Sequence, residues 1–271
     1  NLPTTIDFDA DEFVIGKTNV FIKGKWQKDT SLHIKNGKII AINPQNYGTI
    51  KTIDGTGKWI TPGIIEASSR LGLFEIELDS MAQDVGSPAG VPSPDYRAFD
   101  ALNTHNNRIA NKRQEGVLTN LSHARLSSFA SSMGVAFDLT EDRIVNKKVA
   151  LYGRLEKNWA LFGVKDRGHS RGSVWSFLRQ FLDDAILYNK NPSAFNKGGM
   201  RPLVAESRQL AAMKSVLAGK TPWVLLVNRA DDIKNLIKLK KEYGLNVVIL
   251  GGAEAWKVAS LLKANKVPVI M

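Results

Sequence analysis

Residues 221–271 read TPWVLLVNRADDIKNLIKLKKEYGLNVVILGGAEAWKVASLLKANKVPVIM. Three short apolar runs, WVLLVN (223–228), NVVIL (246–250) and VPVIM (267–271), alternate with two amphipathic segments, from about Asp231 to Tyr243 and from about Ala253 to Ala264. The runs are apolar on both faces and each crossover has helical period, so this stretch predicts parallel strands covered by helices. Gly244 follows the first helix where a residue of positive φ closes such an element. Upstream, strands are expected at WITPGIIEAS (59–68), GVLTNLSHA (116–124), NKKVALYG (146–153) and NWALFG (158–163), with helices at 101–115, 172–188 and 204–218. About seven parallel strands with helical crossovers fit an α/β fold of the (β/α)8 type over residues 60–271. A doubly wound sheet fits less well, because no Gly-rich phosphate loop with a ribose-binding acid follows the first strand. The sequence stops on an apolar strand at Met271, which would leave an open sheet edge. The barrel is therefore expected to be incomplete at its C-terminus, with further residues or a second chain closing it.

Residues 1–59 have the two-residue period of strands, in VFIKG (20–24), SLHIKN (31–36) and KIIAI (38–42). Asn36-Gly37 predicts a hairpin, since both residues accept the positive φ of a type I′ turn. So few strands bury little surface, and this small antiparallel sheet is expected to complete itself with chain from elsewhere.

The 271 residues carry 37 Lys and Arg against 26 Asp and Glu, a net charge of +11. The densest basic run, Lys238 to Lys241, shares a helix with Ile233, Leu236 and Ile237 on its other face, which reads as a solvated surface. Basic residues are not interleaved with exposed aromatics, so nucleic acid is not expected as a partner. No cysteine is present, which excludes disulfides and thiolate sites. The polar start lacks the segments of a signal peptide and no apolar run is long enough to span a bilayer, so a soluble chain is expected, in the cytoplasm or in the periplasm after removal of a leader.

The string ITPGIIEASSRLGL (60–73) resembles the first-strand signature of the amidohydrolase superfamily, a short apolar strand and Pro-Gly followed by Asp-x-His-x-His. The similarity extends to imidazolonepropionase-like members with an N-terminal β-sandwich, through PDYRAFDALN (94–103), Arg171-Gly172, NRADDI (228–233) and VVILGGAE (247–254). The resemblance implies a composite β-sandwich for residues 1–59, a barrel for 60–271, and hydrolysis of amide or cyclic C–N bonds by metal-bound hydroxide, with zinc or another divalent ion as the family norm. It also implies that the metal-ligand positions are occupied here by Ser68, Arg70, Asn228 and Gly251. A carboxylated lysine of some relatives has only Lys148 and Lys165 nearby. Arginine is a permanent cation without a lone pair to donate, so no metal cofactor is expected. The histidines His33, His105, His123 and His169 lack the spacings that would rebuild a site.

The leading expectation is a catalytically impaired relative that has lost the metal chemistry and binds a small anionic or amide-containing ligand through Arg70, His123, Asn228 and Arg229. Pairing of Arg70 with Glu66, Glu75 or Asp231 is the alternative for that side chain. His123, at the end of the second strand, is read first as a structural histidine. A second expectation is a hydrolase working with an altered site. Ser68 as its nucleophile has no general base at a suitable spacing. A third is a non-catalytic subunit that pairs with an active homologue, and a homo- or hetero-oligomer is among the assemblies expected. Trp159, Trp175 and Trp223 read as core, Asp79 to Asp95 as a lid loop on the functional face, and Asn191 to Arg201 as a flexible connector.

Overall fold

The computed structural model describes residues 11–46, 48–75, 83–86, 91–141, 143–155, 170–196 and 201–271. The chain forms two compact units, 1–63 and 64–271.

The first unit is one five-stranded sheet built from β1 (Glu12–Ile22), β2 (Lys25–Lys35), β3 (Lys38–Ile42), β4 (Lys51–Asp54) and β5 (Trp59–Ile60). Asn36-Gly37 turns β2 into β3 with φ of 49° and 70°, as its sequence requires, and Lys23-Gly24 does the same between β1 and β2 with φ of 49° and 79°. The sheet is mixed, which departs from the antiparallel expectation: β4 and β5 both run parallel to β1. The two-residue β5 also corrects the strand expected at 59–68. That segment breaks at Pro62-Gly63, and its second half opens the other unit. Val14, Val20 and Leu32 are buried, while Trp26 and Trp59 remain exposed and stack edge to face on each other, ring centroids 4.6 Å apart.

Among the described residues the second unit has two sheets. One follows the order β10-β9-β7-β6, using β6 (Ile64–Ser69), β7 (Val117–Ser122), β9 (Val135–Asp138) and β10 (Ile144–Asn146). The other follows β14-β13-β12-β11-β8, using β8 (Ser132–Met133), β11 (Leu151–Arg154), β12 (Trp223–Val227), β13 (Val247–Gly251) and β14 (Val269–Ile270). Pairing is parallel from β11 through β14 and between β6 and β7. It is antiparallel where β9 meets β7 and β10, and where β8 meets β11. Among the described residues the strands do not close into a barrel, so the all-parallel expectation is corrected. The cause is the stretch Ser132–Asp138, which follows β7 after a connection without a helix and so folds back beside it.

Helices α1 (Arg108–Gln114), α2 (Arg171–Lys190), α3 (Pro192–Asn196), α4 (Ser207–Ala212), α5 (Lys214–Leu217), α6 (Ala230–Tyr243) and α7 (Ala259–Ala264) complete the second unit. Ser170 starts α2 by accepting from the Ser173 N–H in a capping box. Asp231 and Asp232 open α6, and Gly244 ends it with φ 68°. The helix expected over 101–115 shrinks to a 3-10 turn at Ala98–Ala101 and α1, because the Asn103 and Asn106 carboxamides accept from the backbone N–H two residues on and compete with helix formation. The span 204–218 splits into α4 and α5, and 253–264 into a 3-10 turn at Ala255–Val258 and α7. The connector expected from Asn191 contains α3. The strand expected at 158–163, Trp159, Lys165, His169 and parts of the 79–95 loop lie outside the described residues.

The largest core lies between the second sheet and its helices, where Trp223, Leu225, Phe181, Leu182, Leu236 and Ile249 are fully or almost fully buried. Trp223 tolerates this because its Nε1–H donates to the Phe129 carbonyl at 2.9 Å. On the opposite face of the same sheet a smaller cluster joins Ala150, Tyr152 and Val224. A Cβ on Gly153 would overlap the Phe129 carbonyl, whereas one on Gly244 would meet nothing within 4 Å. Gly153→Ala is therefore expected to lower stability by about 3 kcal/mol or more through overpacking against backbone. Gly244→Ala should cost only about 1 kcal/mol, the penalty of a left-handed φ. Urea midpoints of the two variants, compared with the parent, check this ordering.

Candidate functional site

The parallel pair β6 and β7 aligns Ser69 with Ser122, and the His123 N–H donates to the Ser69 carbonyl at 3.0 Å. Both strands therefore end side by side. A buried polar network fixes the turn beyond them. Asn120 Nδ2 donates to Ser69 Oγ and to Ser122 Oγ at 2.8 Å each, and Ser122 Oγ donates to the Leu71 carbonyl at 2.5 Å. The Leu71 N–H donates back to Ser69 Oγ at 3.1 Å. With Ser69 held, its neighbours Ser68 and Arg70 line a pocket of about 570 Å³, together with Glu66, Phe74, Lys112 and His123.

Ser68 Oγ lies 2.8 Å from His123 Nε2. The other ring nitrogen, Nδ1, is 2.7 Å from the Ala124 carbonyl. A carbonyl only accepts, so Nδ1 carries the proton and Nε2 accepts from the serine hydroxyl. Burial and, to a smaller extent, the Arg70 cation push the His123 pKa down to about 4, with the Ala124 bond opposing them. The ring is therefore neutral at pH 7. It stacks on Tyr152, centroids 4.2 Å apart at 19°, and Tyr152 Oη donates to the Ala67 carbonyl at 2.8 Å. This arrangement corrects the expectation that Ser68 has no base within reach. The two residues are 55 apart in sequence, beyond any spacing rule, but both close adjacent parallel strands.

Arg70 is exposed, its guanidinium carbon 5.8 Å from the centre of the Phe74 ring. None of the three acids expected as local partners takes it. Glu66 lies 3.8 Å from Lys112, Glu75 accepts from Asn103 Nδ2 at 2.7 Å, and Asp231 pairs with Arg229 at 3.6 Å and with Lys234 at 3.2 Å. Glu66 Oε2 is buried without a hydrogen-bond donor. Lys112 donates to Glu115 at 2.8 Å, and this bond, followed by the charge of Glu66, raises the lysine pKa.

Asn228, Arg229 and Gly251 stand at the C-terminal ends of β12 and β13 and do not line this pocket. Asn228 Oδ1 accepts from the Ala253 N–H at 3.2 Å. Gly251 has φ 79°, and a Cβ there would lie 2.8 Å from Asn228 Oδ1 and 2.9 Å from Leu226 Cδ1. No side chain enters that position without displacing its neighbours. Glu254 accepts from the Ala230 N–H at 2.8 Å, capping α6, and this bond above all lowers its pKa. Of the remaining histidines, His33 bonds Glu12 at 2.9 Å.

Ser68 and Arg70 supply a hydroxyl and a cation, and both nitrogens of His123 are engaged. Among the described residues no three His, Cys, Asp or Glu side chains gather where they would hold a metal. No helix is long and apolar enough to cross a membrane among those residues.

No protein-family model and no curated protein matches the chain. Among solved structures it is similar to an amidohydrolase from Thermotoga maritima MSB8, with TM-score 0.76 and 25% identity over 96% of this chain and 69% of that one. A D-hydantoinase (dihydropyrimidinase) from Thermus sp. overlaps at TM-score 0.37 and 15% identity, over 95% of this chain and 56% of its own, a likeness too low to argue from. The neighbour from Thermotoga maritima is thus an amidohydrolase. The second unit is an α/β fold with mixed sheets, similar to amidohydrolase barrels.

The depressed His123 pKa has a consequence for stability. The unfolded chain takes up a proton on this residue as pH falls through about 6.5, while the folded chain resists it until about 4. Stability contributed by the neutral ring is therefore present above pH 6.5 and is lost toward pH 4, by up to about 3 kcal/mol. Urea midpoints at pH 7.5 and 4.5 should show a steeper acid loss in the parent than in His123→Gln. Equal losses in the two proteins would assign the acid sensitivity elsewhere.

Proposed function

We propose that this chain is an amidohydrolase relative of the imidazolonepropionase-like kind, a C–N hydrolase fold in which the first-strand metal pair is replaced by Ser68 and Arg70. Its pocket takes a carboxylate-bearing amide without a bound metal. The two sheets of residues 64–271 are segments of a (β/α)8 barrel in this reading, and the N-terminal sheet belongs to a composite β-sandwich. The observation that carries the reading is Arg70, a guanidinium lining the pocket and left unclaimed by Glu66, Glu75 and Asp231. A planar cation of this kind matches a carboxylate in bidentate fashion. The same charge opposes a divalent cation at the end of β6. Asn228 and Arg229 are proposed as more distant ligand contacts at the mouth.

N-acetylglycine, which combines one amide with one carboxylate, is the probe. Calorimetric titration should detect binding that weakens with added salt, because Arg70 is exposed and screened. Arg70→Gln should reduce the affinity about fivefold, the scale of an exposed charge pair. Metal analysis of the purified protein should find far less than one zinc per chain. Stoichiometric zinc, or unchanged affinity in Arg70→Gln, would contradict the proposal.

A further inference from the structure

We infer that Ser68 and His123 form a nucleophile–base pair that cleaves the amide held in this pocket by acyl transfer. The inference deepens the preceding reading and rests on it for the substrate class, an acyl amide whose amine side carries a carboxylate. Three features of the geometry carry it. The Ser68 hydroxyl donates to His123 Nε2 at 2.8 Å, within the range over which a base removes a nucleophile's proton. His123 Nδ1 is tied to the Ala124 carbonyl at 2.7 Å, which fixes the tautomer that leaves Nε2 free to accept. Finally, the pair borders a pocket of about 570 Å³ that also contains Arg70, two residues beyond the nucleophile on the same strand end.

Tyr152 is the positioning residue. Its ring stacks on the imidazole, and its hydroxyl holds the carbonyl of Ala67, the residue before Ser68. Base and nucleophile are therefore both referred to one buried side chain. The neighbouring serines are differently employed. Ser122 Oγ donates to the Leu71 carbonyl, and Ser69 Oγ accepts from Asn120 and from the Leu71 N–H. Of these three serines, Ser68 alone combines a bond to a bare imidazole nitrogen with a place on the pocket wall.

The reaction balances with the substrate and water alone. Ser68 Oγ bonds to the acyl carbon as its proton passes to His123 Nε2. The tetrahedral adduct collapses with cleavage of the C–N bond, and the imidazolium returns that proton to the departing amine. Water then attacks the acyl-serine, giving a proton to Nε2. Breakage of the ester C–O bond releases the acid, and the proton returns to Ser68 Oγ.

An alkyl fluorophosphonate, which carries no carboxylate, separates this inference from anion binding. Peptide mass spectrometry of the treated protein should locate the adduct on Ser68, absent in Ser68→Ala and formed about 100-fold more slowly in a folded His123→Gln variant. Acetate release from N-acetylglycine, followed by NMR, should be lost in Ser68→Ala. An unlabelled Ser68 overturns the nucleophile, even if His123→Gln fails to fold. A labelled Ser68 without acetate release overturns the amide-cleaving step. If N-acetylglycine still binds through Arg70 while Ser68 stays unlabelled, the binding reading stands and the acyl-transfer inference falls. Labelling and acetate release without Arg70-dependent binding uphold the acyl transfer and overturn Arg70 as the carboxylate anchor.

Discussion

Tyr152 is the side chain on which the second unit turns. It is fully buried on β11, yet its hydroxyl reaches the Ala67 carbonyl on β6 and its ring lies against His123 beyond β7. It thus ties the sheet of β11 to the sheet that carries the pocket. Burial of a phenol is tolerable only with its hydroxyl satisfied, and it pushes the Tyr152 pKa upward. The surrounding chain is cut to fit. A Cβ on Gly134 would lie 2.5 Å from Tyr152 Cε2, so the chain can pass the ring only as glycine.

The second constraint is the balance of charge around the pocket. Arg70, Arg108 and Lys112 line it together with Glu66 and Glu115, and the lysine lies 2.8 Å from Glu115 and 3.8 Å from Glu66. In the proposed reading, an exposed guanidinium beside a neutral imidazole favours an incoming anion over a metal ion. Burial removes the proton from His123, and the Ala124 carbonyl then decides which nitrogen remains bare. The chemical character of the site thus follows from desolvation first and hydrogen bonding second.

Local chemistry made much of the fold legible. The run of strands β12 to β14 with α6 between them follows from period, and Gly244 and Asn36-Gly37 adopt the positive φ that their positions imply. Ser68 and Arg70 could be picked out through the resemblance of the first-strand motif to that of the amidohydrolase superfamily, and His123 because it ends the second expected strand. The antiparallel β9 was not legible. Its residues VAFD are apolar like those of a parallel strand, and it pairs antiparallel with β7 across a connection that holds no helix. Nor was the shortening of the helix at 101–115, where asparagine side chains outcompete the helical hydrogen bonds.

Residue identity alone dictated the groups at the strand ends: a hydroxyl and a guanidinium at positions 68 and 70, and at 251 a glycine, which has no side chain to offer a ligand. Those identities bound the available chemistry whatever the fold. It took the packing of the folded chain to bring Ser68 against His123, to engage Glu66, Glu75 and Asp231 with other groups, and to set Asn228 and Gly251 away from the pocket. The physical reason is that strand pairing sets contacts by register between segments far apart in the chain, while composition and period report only on neighbours within a turn or a strand.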